Sequence, residues 1–74
     1  MSENLDVLVN RANLAMRGQP GFIACRVESS ADRVLAYTFA DHESAHLFQQ
    51  QRALLDVPAV IHNSNQTVVF VTHT

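Results

Sequence analysis

From Ser2 to Arg17 the apolar residues Leu5, Leu8, Val9, Ala12, Ala15 and Met16 recur every third or fourth position, which predicts one apolar stripe along a helix. Ser2 is the predicted N-cap, Glu3 sits at the positive end of the helix dipole, and Gly18 suits a left-handed C-cap. Gln19-Pro20-Gly21 then signals a turn. Phe22 to Ser29 alternates as a strand does, with Ile23, Cys25 and Val27 on one face and Phe22, Ala24, Arg26 and Glu28 on the other. A short polar link, Ser29-Ser30-Ala31-Asp32, leads to a second strand, Arg33 to Ala40, whose faces are Leu35, Tyr37 and Phe39 against Val34, Ala36 and Thr38. Two strands so closely linked predict an antiparallel hairpin. Both faces of the second strand are largely apolar, so helices are expected on one side of the sheet and a further cover on the other.

Asp41 is the N-cap expected for a second helix that runs to about Leu55 and stops at Val57-Pro58. At 100° per residue Leu47, Phe48, Gln51, Leu54 and Leu55 gather on one side and His42 and His46 lie roughly opposite. Val57, Ala59, Val60 and Ile61 read as a short extended segment or a loop, and His62-Asn63-Ser64-Asn65 as a turn. Thr67 to Thr72 is the clearest strand in the chain, with β-branched residues on both faces. The predicted fold is a single α+β domain over residues 1–74, α-β-β-α-β with room for an extra short strand at Ala59 to Ile61. That is the ferredoxin-like order β-α-β-β-α-β with its first strand absent, an antiparallel sheet with two helices on one face.

Size sharpens the expectation of a cover. A chain of 74 residues buries only about 60% of the surface its unfolded state exposes, so some further staple is expected. Cys25 is the sole cysteine, which excludes an internal disulfide, and no Cys/His cluster of zinc-finger type is present. Self-association, a homodimer, is therefore the expectation. The formal net charge is −2, and Arg11, Arg17, Arg26, Arg33 and Arg52 are scattered, which argues against a surface that tracks nucleic-acid phosphates. No run approaches the roughly 20 apolar residues of a membrane span, and no secretory leader is recognised at the start, so a cytoplasmic protein is expected.

His42-Glu43-Ser44-Ala45-His46 matches H-E-x-x-H, in which two histidines one helical turn apart bind zinc and the glutamate activates the bound water. A zincin also needs a third protein ligand and a substrate groove. Asp56, His62 and His73 are the candidates for that ligand, and no spacing singles one out. The solvated helix face is the reading preferred, with no metal assigned. Tyr37 either aims its hydroxyl into a ligand cavity or packs with its edge in water. Arg26 either orients an anionic ligand or pairs with a nearby carboxylate. His62, beside a turn, is either a general base or polar surface. No Gly-rich phosphate loop, nucleophile elbow or paired carboxylates occur.

Gln19-Pro20-Gly21-Phe22, the alternating strand after it, the polar link at Ser30 to Asp32, and Phe39-Ala40-Asp41-His42-Glu43-Ser44-Ala45 opening the second helix resemble the antibiotic biosynthesis monooxygenase-like domains, over roughly Leu5 to Leu55. The resemblance implies a ferredoxin-like domain that dimerises face to face into a barrel and, in many members, acts on aromatic or quinone-like substrates without metal or flavin, so no cofactor is expected. Two departures stand out. The leading strand is missing, and the chain has no tryptophan, which speaks against the haem-degrading branch with its Asn, Trp and His. No catalytic residue is carried over. The leading expectation is a dimer that binds a small apolar or aromatic ligand between sheet and helices, lined by Phe22, Arg26, Tyr37 and Phe70, with monooxygenase-type chemistry. The alternatives are a non-catalytic dimerisation or regulatory module and, behind it, zinc binding through His42 and His46.

Overall fold

The computed structural model describes residues 4–55, 59–61 and 66–72. Helix α1, Leu5–Ala15, starts two residues later than the sequence suggests, because Asn4 is its N-cap: the Asn4 backbone is extended and its side-chain oxygen accepts from the Asp6 N–H at 2.8 Å. Ser2 and Glu3 lie outside the described residues. A 3-10 turn, Met16–Gly18, tightens the end of the helix. The left-handed glycine is Gly21, with φ 73°, and not Gly18.

Strands β1, Phe22–Ser29, and β2, Val34–Phe39, form the expected antiparallel hairpin. Its turn is fixed by the Asp32 N–H donating to Ser29 Oγ at 3.3 Å and by Arg33 at φ 55°. Helix α2, His42–Leu54, is capped by Asp41 as expected, the Asp41 carboxylate accepting from the Ser44 N–H at 2.7 Å. The extra short strand is present as β3, Ala59–Ile61, and β4 is Val68–Thr72. The ending at Val57-Pro58 and the turn at His62 to Asn65 fall outside the described residues.

The described residues form an α+β domain with one sheet of four strands, ordered β1-β2-β4-β3, and every neighbouring pair antiparallel. Since β2 and β3 both run against β4, they are parallel to each other, and α2 connects them. This is a β-α-β crossover whose two strands are split by β4.

Both helices contribute to one core, so both lie on the same face of the sheet. Leu5, Leu8, Val9 and Ala12 of α1 and Ala45 and Phe48 of α2 pack against Cys25, Leu35, Tyr37, Phe39, Val69 and Val71. The inward side of α2 differs from the sequence reading. Ala45 and Phe48 are buried, whereas Leu47 is 43% exposed, Leu54 85% and Leu55 64%. The small Ala45 and the Phe48 ring, rather than the more numerous leucines, set the side on which α2 meets the sheet. Ala15 of α1 is likewise exposed instead of completing the stripe.

Candidate functional site

The candidate ligand residues divide between the two faces of the sheet. On the helix-covered face Phe22 lies directly opposite Phe39, although simple alternation from Cys25 would turn Phe22 the other way. A register shift between Phe22 and Ala24 inserts one extra residue, and parity changes across it. Ile23, which alternation groups with Cys25 and Val27 on one face, is consequently 61% exposed.

Four rings then fill the middle of the domain. Phe22 lies 6.5 Å from Tyr37 and 5.9 Å from Phe39, and Phe48 stacks obliquely on Tyr37 at 4.8 Å and on Phe39 at 5.2 Å. Such offsets are the favoured arrangements for aromatic quadrupoles and add to the area they bury. Leu35, Phe39, Phe48, Val69 and Val71 are each under 2% exposed apart from Phe39, which stands at 2%. The Arg52 guanidinium lies over the Phe48 ring, its Cζ 5.0 Å from the centroid, and its buried Nε has no hydrogen-bond partner among the described residues.

Tyr37 is 6% exposed and lies directly across the strands from Cys25. Burial pushes the Cys25 thiol up to about 11, against the lowering effect of the Tyr37 hydrogen bond. Burial likewise pushes Tyr37 up to about 12; the neighbouring Cys25 adds to the rise and the Arg52 charge opposes it. At neutral pH both groups are protonated. Cys25 is therefore no nucleophile there, since the thiolate is the reactive form.

A polar residue of α1 ties that helix to the sheet. Asn13 donates through Nδ2 to the carbonyls of Val9 at 3.0 Å and Cys25 at 3.1 Å, and its Oδ1 accepts from the Cys25 N–H at 3.0 Å. It thus satisfies both backbone groups that Cys25 presents on the outer side of the edge strand β1, a place where a further strand would otherwise add. Its position at the border of the α1 apolar stripe is the one sign of this in the sequence.

Neither of the described helices lies on the other face of the sheet. Cross-strand pairing lines up Arg26, Ala36, Phe70 and Val60 in one row across all four strands, with Ala24, Thr38 and Val68 in the next. Ala36 is fully buried yet stands outside the helix-side core cluster. Val60 stays 64% exposed. Arg26 meets a carboxylate on its own strand, Glu28, at 3.1 Å, and the two side chains are 61% and 40% exposed. An ion pair that open to water contributes little, typically under about 1 kcal/mol. Of the four residues expected to line a single cavity, Phe22 and Tyr37 are therefore on one side of the sheet and Arg26 and Phe70 on the other.

No family model, curated protein or solved structure matches the chain. His42 and His46 are both exposed on α2, their ring centroids 5.9 Å apart. Among the described residues no three of His, Cys, Asp and Glu gather as metal ligands would. Asp56, His62 and His73, the candidates for a third ligand, are outside those residues. No described helix is long and apolar enough to cross a membrane.

Proposed function

We propose that the chain is a homodimerisation module, a ferredoxin-like domain in cyclically permuted form, which seats a second copy of itself on the helix-free face of its sheet. The observation that carries this is the row Arg26, Ala36, Phe70 and Val60, which crosses every strand and ends in an exposed valine. The permutation is supported by element order. Moving the leading strand of β-α-β-β-α-β to the end of the chain gives α-β-β-α-β-β, the order found, with β4 dividing the β-α-β unit as a leading strand would.

Association through the face is favoured over association through an edge. The β1 edge is hydrogen-bonded to Asn13, interrupted by two register shifts and flanked by the Arg26–Glu28 pair, while the opposite edge, β3, is only three residues long. Four strands at about 4.8 Å spacing and five residues at about 3.4 Å give the face a footprint of roughly 300 Å². Specific interfaces commonly bury about 800 Å² on each partner, so this one belongs at the weak, small end of the range. A dimer that dissociates on dilution is the consequence.

A monooxygenase-type site for an aromatic ligand requires space between sheet and helices, and the four-ring cluster occupies that region. The non-catalytic module is therefore the reading the geometry supports best. Sedimentation velocity tests it. Wild type is expected to sediment as a dimer at high micromolar concentration, Phe70→Glu and Val60→Glu as folded monomers, and Leu54→Glu, on the helix layer, as a dimer. A monomeric wild type, or loss of the dimer only in Leu54→Glu, would overturn the proposal.

A further inference from the structure

We propose that His42 and His46 form an open, two-point binding site for a divalent transition-metal ion on the outer face of α2, with Cu²⁺ the ion held most tightly. The histidines are one helical turn apart, and the backbone beneath them is fixed. Asp41 caps the Ser44 N–H at 2.7 Å, the Ala45 N–H returns to the Asp41 carbonyl at 3.3 Å, and Ala45 itself is fully buried. The two rings are therefore presented by an ordered turn, which lowers the entropic cost of bringing both to one ion.

Their geometry suits chelation. A metal–nitrogen bond of about 2.05 Å places an ion about 3.2 Å from each imidazole centroid, so the centroids of two coordinated rings are about 5.2 Å apart at a tetrahedral ion and about 4.5 Å apart at a square one. The observed separation is 5.9 Å, with 38° between the planes. Rotation of the two exposed side chains closes a gap of about 1 Å without any change in the backbone. Both rings are already in water, so binding buries no unpaired charge. The carboxylates of Asp41 and Glu43 next to the pair offset the positive end of the helix dipole. With two imidazole donors the order of affinity follows Cu²⁺ above Ni²⁺ and Zn²⁺, and water completes the coordination. Such a site lacks the third protein ligand of a zincin, and no peptidase activity is assigned to it. It is on the helix side of the domain, away from the open sheet face, and so stands independently of the dimer.

Calorimetric titration with Cu²⁺ alone, in a buffer that does not coordinate it, reads the site out, and electron paramagnetic resonance reports nitrogen coordination. Losing one of two linked donors removes the chelate advantage, so His42→Ala and His46→Ala are each expected to weaken binding by about tenfold or more. The paired change His46→Ala with Leu47→His keeps the number of histidines but moves one off the shared face, and it is expected to bind as weakly as His46→Ala. The paired change His62→Asn with His73→Asn is expected to bind as wild type does. Circular dichroism confirms the fold of each variant. Unchanged affinity in His46→Ala or in the displaced-histidine variant, or loss of binding in the His62 and His73 variant, would overturn the assignment.

Discussion

Gly21 is the position where a single methyl group should do most damage. Its φ of 73° is a conformation that costs an ordinary L-residue about 1–2 kcal/mol. A Cβ there would also collide with Ser44 Oγ and come within 2.6 Å of Ser44 Cβ, in the first turn of α2. Carbon atoms make contact at about 3.5–4.0 Å, so the turn and the helix would have to separate by about 1 Å, and forcing extra atoms into a packed site typically costs about 1–3 kcal/mol. Retreat is restricted, because the Gly21 carbonyl accepts from the Ala40 N–H at 2.8 Å, immediately before the Asp41 cap. Gly21→Ala is therefore expected to cost about 2–5 kcal/mol, a large share of the roughly 4–11 kcal/mol available to a domain of 74 residues. Urea unfolding followed by circular dichroism measures it. Ser44→Gly removes both colliding atoms, so in a double-mutant cycle the second substitution should recover the steric part of the loss, about 1–3 kcal/mol, and leave the φ part. A Gly21→Ala variant within about 0.5 kcal/mol of wild type, the range of ordinary surface substitutions, would refute the reasoning, and so would a cycle without coupling.

Two further expectations follow from the helix-covered face. The Cys25 and Tyr37 pair has folded-state pKa values raised to about 11 and about 12, so its contribution to stability is intact below pH 9 and is lost as pH rises through that range. The urea midpoint should fall between pH 9 and pH 12, less so in Cys25→Ala; since Tyr37 is the sole tyrosine and there is no tryptophan, absorbance at 295 nm follows its ionisation directly. A Tyr37 that titrates at its ordinary pKa in the folded protein would contradict the burial argument. Asn13→Ala leaves the N–H and carbonyl of Cys25 on the β1 edge without their partner, at a cost of about 1–3 kcal/mol for each group that water does not reach, and amide exchange at Cys25 should accelerate correspondingly. Protection at Cys25 that survives the substitution would mean that Asn13 does not close this edge.

The helices, the hairpin and the Asp41 cap were readable because each depends on local chemistry: a helical or alternating period, a polar link, a carboxylate in front of a first turn. The facing of β1 was not readable in full. One extra residue at Ile23 reverses the parity of Phe22, and nothing in the composition of Phe22-Ile23-Ala24 marks a bulge. For α2 the leucines drew the apolar stripe toward Leu47, Leu54 and Leu55, whereas burial follows Ala45 and Phe48; how closely a small residue lets a helix approach a sheet is a tertiary matter. The most consequential gap concerned β4. Its sequence said strand clearly, but its insertion between β2 and β3 is a long-range pairing that residue patterns along one chain do not encode. For the candidate site, alternation put Phe22 on the face of Arg26, and the register shift before Ala24 turns it to the side of Tyr37, leaving Arg26 and Phe70 on the other.

Whether a second copy covers the helix-free face is decided by intermolecular nuclear Overhauser effects in a mixture of isotope-labelled and unlabelled protein at high micromolar concentration. Contacts are expected between the Phe70 ring of one copy and the methyl groups of Val60 or Val68 of the other. Intermolecular contacts confined to Val7, Leu14, Leu47 and Leu54 on the helix layer, or none at all, would contradict it.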